Sequence, residues 1–204
     1  MYNAVTSHTT SPAADEIQTL NKWILEIIGP HIKGRTLEVN SGTNSLCQLF
    51  IKYNRPIHLS DTNSSYIQTL REMYKGNRLV RDIHYLDLIA SDFQQSHPDM
   101  LDVFDTVIAL NVSRSAFGKM VENIKYVLPK KGMLAMIFPA YTSIYTGLDQ
   151  NSDDWKRYNW KAIMQILGDN FSIHKVRFLI LTPNTAKYFI GNTGLSTLVV
   201  VQKS

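Results

Sequence analysis

Between positions 35 and 138 short apolar runs alternate with stretches whose apolar residues recur at helical spacing. Strands are expected at Arg35–Val39, Ile57–Leu59 and Arg78–Ile83, in the run "DTVIALN", and at Met133–Phe138. Between them, Leu46, Leu49, Phe50 and Tyr53 mark one helix, and Tyr66, Ile67, Leu70, Met73 and Tyr74 a second, which Gly76 stops. Phe117, Met120, Val121, Ile124, Val127 and Leu128 mark a third. The run "DTVIALN" is apolar enough to be buried on both faces, as central strands of parallel sheets are. A βαβα alternation therefore predicts an α/β fold, a parallel sheet with helices on both sides.

The two ends of the chain read differently. Ser11-Pro12 is a helix start, after which Ile17, Leu20, Trp23, Ile24, Ile27 and Ile28 keep helical spacing until Gly29-Pro30. Residues 1–32 are accordingly an N-terminal segment and helix, and residues 33–204 one domain. After an irregular stretch to about Asn159 and a short helix ending at Gly168, the strand-like segments Phe171–Leu181 and Leu195–Val201 follow with no clear helix between them. That absence predicts an antiparallel finish to the sheet. No repeat or low-complexity segment is present.

With 204 residues, 44% of them hydrophobic, the chain is long enough to bury its own core. The single cysteine, Cys47, excludes an intramolecular disulfide and a thiolate zinc cluster, and suits a reducing cytoplasm. Set among Leu46, Leu49 and Phe50, it reads as a small buried residue. The N-terminus has no basic and apolar signal pattern, and no apolar run approaches the roughly 20 residues that span a bilayer. A net charge of +4 permits nucleic-acid contact, but the densest basic clusters, Lys130-Lys131 and Lys156-Arg157, are only pairs, which argues against a phosphate-tracking surface. The six histidines form no i, i+4 pair and no ligand motif, so no metal is expected.

The first strand runs into a tight turn and a helix start in "TLEVNSGTNSLCQLF", and in open parallel sheets ligands bind outside the carboxyl ends of such strands. Gly42 permits close backbone approach, while Asn40 and Asn44, which tolerate positive φ, stand where such loops often have glycine. Asp61, ending the second strand, follows Gly42 by 19 positions, near the offset at which a carboxylate reaches ribose hydroxyls. A cap or Asx turn before the next helix is its alternative role. The chain lacks both G-x-G-x-x-G and G-x-x-x-x-G-K-[ST], so dinucleotide and P-loop readings weaken.

Glu38, Val39 and Gly42, with their spacing, resemble the first motif of class I S-adenosylmethionine-dependent methyltransferases, roughly E-[VI]-G-x-G-x-G. "FDTVIALNV" is similar to that family's fourth-strand motif. "VLPKKGMLAMIFPA" is similar to its L-x-P-G-G turn and fifth strand, with Lys131 at one glycine. "PAYTSIYTGLDQNSDDWKRYN" resembles a segment, P-A-x-x-x-L-Y-x-x-x-D-x-x-x-x-H-x-R-R-Y, of a subgroup associated with surface-polysaccharide and glycosyltransferase genes. The resemblance covers the chain from Arg35 to about Leu181. It implies a three-layer Rossmann-like fold with a mostly parallel seven-stranded sheet and an antiparallel C-terminal strand.

It also implies S-adenosylmethionine as cofactor and a small-molecule or glycan-linked acceptor. In that pattern Glu38 orients the cofactor's methionine end or the loop, Asn40, Gly42 and Asn44 form the loop, and Asp61 holds the ribose. Asp87 meets the adenine amino group, and Asn111 and Val112 line the pocket floor. Asp87 has the alternative of capping "DLIASDF", and Asn111 of ending its strand with a turn bond. "NVSRS" departs from the subgroup's "NVLEH", so Ser113, Arg114 and Ser115 replace a leucine, an acid and a histidine, and Asp154 stands at another histidine. Candidate bases are then Asp149, Asp154 and Tyr158, with Trp155, Arg157 and Tyr158 on the acceptor side; a solvated loop anchored by Trp155 and Tyr158 is the alternative. The rival class is a non-catalytic domain with a decayed loop that serves as a binding or scaffolding partner. On these readings Asp61→Ala weakens cofactor binding and leaves thermal stability nearly unchanged.

Overall fold

The computed structural model describes residues 12–42, 46–110, 114–139, 160–182, 185–189 and 196–204. Helix α1 (Pro12–Ile28) leads into β1 (Thr36–Val39), α2 (Cys47–Lys52), β2 (Ile57–Asp61), α3 (Ser64–Met73) and β3 (Val80–Tyr85). Then come the short α4 (Phe93–Ser96), β4 (Thr106–Ala109), α5 (Arg114–Val127), β5 (Met133–Pro139) and α6 (Trp160–Leu167). The strands β6 (Phe171–Thr182), β7 (Thr185–Phe189) and β8 (Ser196–Lys203) finish the order.

All eight strands share one sheet in the order β3-β2-β1-β4-β5-β8-β6-β7. The pairs among β1 to β5 are parallel. Those of β8 with β5 and β6, and of β7 with β6, are antiparallel. The expected mostly parallel sheet with an antiparallel C-terminal end is present, and β7 adds a strand at the outer edge by folding back on β6. Because β2 and β3 lie on one side of β1 and β4 and β5 on the other, the chain reverses direction across the sheet between β1 and β4. Open α/β sheets place a ligand outside the carboxyl ends of the strands at such a reversal.

Side-chain alternation builds two cores from one sheet. On one face Ile57, Leu59, Ile108, Ala135 and Val200 pack beneath α1, α2 and α3 through Ile24, Ile28, Phe50, Ile67 and Leu70. On the other, Leu37, Val107, Leu134, Met136 and Val199 meet Phe93 of α4, Phe117 and Ile124 of α5 and Ile163 of α6. Phe117 stands edge-on to Phe138 with ring centroids 4.8 Å apart, a favoured aromatic geometry. All four residues of β4 are buried, as the unbroken apolar run requires. At the edge strand β3, the Ile83 N–H donates to Asp82 Oδ1 at 2.7 Å and Arg71 Nη2 donates to the Ile83 carbonyl at 3.2 Å. Side chains thus occupy backbone groups that another strand would need.

The turn before β5 holds Lys131 at φ +65°, while a Cβ on the following Gly132 would lie 2.9 Å from the Pro129 carbonyl oxygen. Gly132 is therefore sterically required, and Lys131 occupies a conformation that glycine adopts freely. Lys131→Gly is expected to raise stability by about 0.5 kcal/mol, since relief of roughly 1–2 kcal/mol of left-handed strain exceeds the added unfolded-chain entropy. Chemical denaturation measures this; a loss of stability would mean that the lysine side chain makes a compensating contact.

Candidate functional site

The carboxyl end of β1 forms a compact polar knot. Glu38 is 1% exposed, and its Oε1 accepts the Leu46 N–H at 2.8 Å, where α2 begins. A carboxylate there complements the exposed N–H groups of a helix start. The Glu38 carbonyl accepts from two buried hydroxyls, Ser41 Oγ and Ser60 Oγ, each at 3.1 Å, while the Ser41 N–H donates to the Ser60 carbonyl at 2.9 Å. The loop is thereby fastened to β1 on one side and to β2 on the other. Neither serine was singled out from the sequence; the pattern that marks them is a small hydroxyl at each strand end.

Asn40 has φ +53° and Gly42 φ +52°, so both positions use the left-handed region, which asparagine tolerates and glycine enters freely. Among the described residues a Cβ at Gly42 would meet nothing within 4 Å, which leaves open space beside the loop backbone there. The Gly42 N–H donates to Asp61 Oδ2 at 2.9 Å, and the Asn63 N–H donates to Asp61 Oδ1 at 2.9 Å. Asp61 is therefore both the Asx-turn residue and the carboxylate facing the loop. Asn63, not Asp61, caps α3, accepting from the Ser65 N–H at 2.9 Å and the Tyr66 N–H at 3.4 Å. Because Asp61 is 6% exposed and holds two backbone N–H groups, the expectation that its removal leaves stability unchanged does not stand.

Asp87 follows β3 on the same side of the sheet and is half-buried, with Oδ1 accepting the Ile89 N–H at 3.0 Å. That is the capping arrangement weighed for it. Its segment is tied to α5 by Asn123, 1% exposed, whose Nδ2 donates to the carbonyls of Leu88 at 2.9 Å and Ala90 at 3.0 Å. The Leu86 N–H donates to the Asp61 carbonyl at 3.3 Å, which joins the ends of β2 and β3. The structure thus gathers Glu38, Asn40, Gly42, Asp61 and Asp87 at one end of the sheet. Asn44, Asn111, Val112, Asp149, Asp154, Trp155, Arg157 and Tyr158 lie outside the described residues.

Cys47 is fully buried, and its thiol is pushed up to about 12, chiefly by burial, with the nearby Glu38 carboxylate adding to the shift. It is a packing residue and not a nucleophile. Among the described residues no three His, Cys, Asp or Glu side chains are grouped to hold a metal, and no helix is long and apolar enough to cross a membrane.

No protein-family model and no curated protein matches the sequence. Solved structures do match in fold. The N-methyltransferase NodS of Bradyrhizobium japonicum WM9 aligns with TM-score 0.62 and 12% identity over 93% of this chain and 97% of that one. The magnesium protoporphyrin IX methyltransferase of Synechocystis PCC 6803 with bound SAH gives 0.60 and 18% over 100% and 89%. A SAM-dependent methyltransferase from Methanosarcina mazei gives 0.62 and 12% over 87% and 96%. At these identities the likeness establishes a shared fold, the Rossmann-like α/β architecture of methyltransferases.

Proposed function

We propose that this chain is an S-adenosylmethionine-dependent methyltransferase acting on a small-molecule or glycan-linked acceptor. The observation that carries the reading is the pairing of Gly42 with Asp61 at the carboxyl ends of β1 and β2, beside the point where the strand order reverses, with no described residue within 4 Å of a Cβ on the glycine. The group fits the residues present, for its ribose hydroxyls and amino groups are donors and the crevice end of the sheet supplies carboxylates. Each oxygen of Asp61 accepts one backbone N–H and keeps a second lone pair, which can take a ribose hydroxyl. In this reading Asp87 takes the adenine amino group, its Oδ1 already accepting the Ile89 N–H, and Glu38 holds the loop through Leu46. Asn111 and Val112 complete the pocket floor in this reading.

When bound, the sulfonium supplies an electrophilic methyl group, so the protein's task is alignment more than activation. Trp155, Arg157 and Tyr158 orient the acceptor. One of Asp149, Asp154 and Tyr158 takes the proton where the acceptor is a hydroxyl. The left-handed turn at Asn40 supports this over the non-catalytic rival, because a decayed loop has no reason to keep a conformation that costs energy to hold.

Calorimetric titration with S-adenosylhomocysteine tests the reading without knowledge of the acceptor. The wild type is expected to bind. Asn40→Gly with Asn44→Gly is expected to bind several-fold tighter, by removing side-chain volume, and to keep its stability within about 1 kcal/mol, because relief of the left-handed conformation at Asn40 opposes the added chain entropy. Absence of binding by both proteins overturns the cofactor assignment. Weaker binding by the glycine variant would make the asparagines ligands.

A further inference from the structure

His58 on β2 and His84 on β3 are 26 positions apart in sequence, yet His58 Nδ1 lies 3.2 Å from His84 Nε2. The rings are nearly parallel, at 18°, with centroids 5.4 Å apart, and both present themselves edge-on to the buried Phe104, at 5.3 Å and 6.1 Å. A contact of this kind needs one nitrogen to donate and the other to accept, so it holds when the two rings carry one N–H between the facing atoms. When both rings are cations, two N–H groups point at each other and two positive charges meet against an apolar wall. Among the described strands β3 is at the sheet's edge and pairs with β2 alone, so this contact clasps it from the sheet's face. The strands it joins end at Asp61 and run on to Asp87.

We propose that His58 and His84 form a proton-operated latch between β2 and the edge strand β3, closed while the pair is neutral and opened by mild acid. The charged and titratable neighbours are mixed in sign. On β3, Asp82 Oδ2 stands 3.8 Å from His84 Nδ1 and Arg81 lies close by; α3 contributes Arg71, the chain before β1 Arg35, and the turn after α4 His97 and Asp99. For His58 burial weighs most, and the charge of His84 and Arg35 adds to it against Asp82, bringing its pKa down to about 4. For His84 burial again lowers the value, opposed by Asp82 and Asp99. Both imidazoles therefore bind protons more weakly in the closed sheet than when β3 is released. Opening takes up protons, and the open population rises as pH falls from the ordinary histidine value of about 6.5 toward 4.

Amide hydrogen exchange on the whole chain at pH 7 and pH 5, corrected for intrinsic exchange, reads that population directly. β3 amides are expected to open about tenfold more often at pH 5, allowing for solvent at the partly exposed rings, while those of β4 and β8 stay unchanged. The variant His58→Asn with His84→Gln places non-titrating amides at the same two contact positions and is expected to abolish the difference. Equal opening at both pH values, an increase shared by β4 and β8, or a variant that keeps the pH dependence overturns the latch. Should the variant fail to fold, proton NMR titration of the wild-type rings decides. Two imidazoles that titrate near 6.5 while β3 stays protected refute it, and rings that stay neutral until β3 exchanges support it. None of these readouts involves the methyl donor, so the latch and the methyltransferase reading fail separately.

Discussion

Asp61→Ala is expected to cost folding stability and cofactor affinity together. The carboxylate is buried and accepts the N–H groups of Gly42 and Asn63, each at 2.9 Å. Its loss leaves two backbone donors without their charged acceptor, an effect of about 2–4 kcal/mol in chemical denaturation. If the same oxygens hold ribose hydroxyls, S-adenosylhomocysteine affinity falls by about 10- to 100-fold in calorimetry. Asp61→Asn separates the two consequences. Its single amide oxygen can serve one of the N–H groups, so part of the stability returns, whereas its NH₂ cannot accept from a hydroxyl. Unchanged affinity in both variants, measured below the unfolding temperature, would reduce Asp61 to a turn residue.

Glu38→Ala is expected to destabilise the protein by about 3 kcal/mol, because it removes a buried charged acceptor from the Leu46 N–H and opens space between β1 and α2. Glu38→Gln keeps an oxygen for that N–H and should lose about half as much. The loop is also anchored by Ser41 and Ser60, so the sheet should survive the alanine change while protection of the α2 amides falls. Thermal unfolding together with hydrogen exchange checks both parts. A variant as stable as the wild type would mean that water replaces the carboxylate at the helix start.

Much of the architecture was legible in the chain itself. The strands at 36–39, 57–61 and 133–139 fall where apolar runs are bounded by turn residues, and the helices fall where period 3.6 is sustained. The short strand β7 falls between the expected strands Phe171–Leu181 and Leu195–Val201, where five residues of an edge hairpin carry no periodicity strong enough to stand out from a loop. At the site, the left-handed turn at Asn40 and the neighbourhood of Gly42 and Asp61 followed from residue type and spacing. Of the two alternatives for Asp61, a cap or an Asx turn, the structure has the Asx turn; the cap of α3 is Asn63, two positions on, because both residues cap well and only backbone geometry distinguishes them.

What the sequence alone determined is therefore local: which windows extend, which coil, and which residues accept positive φ, all set by side-chain period and backbone sterics within about ten residues. What only the tertiary structure decided are contacts across strands. Ser60 reaches the Glu38 carbonyl over 22 positions, Asn123 reaches the Leu88 carbonyl over 35, and the two histidines, scattered in the chain, face each other over 26. Each depends on the register of one strand or helix against another, and a one-residue slip would turn a strand side chain to the opposite face and a helical one about 100° away. Register is fixed by the packing of both cores at once, so no window of the sequence contains it.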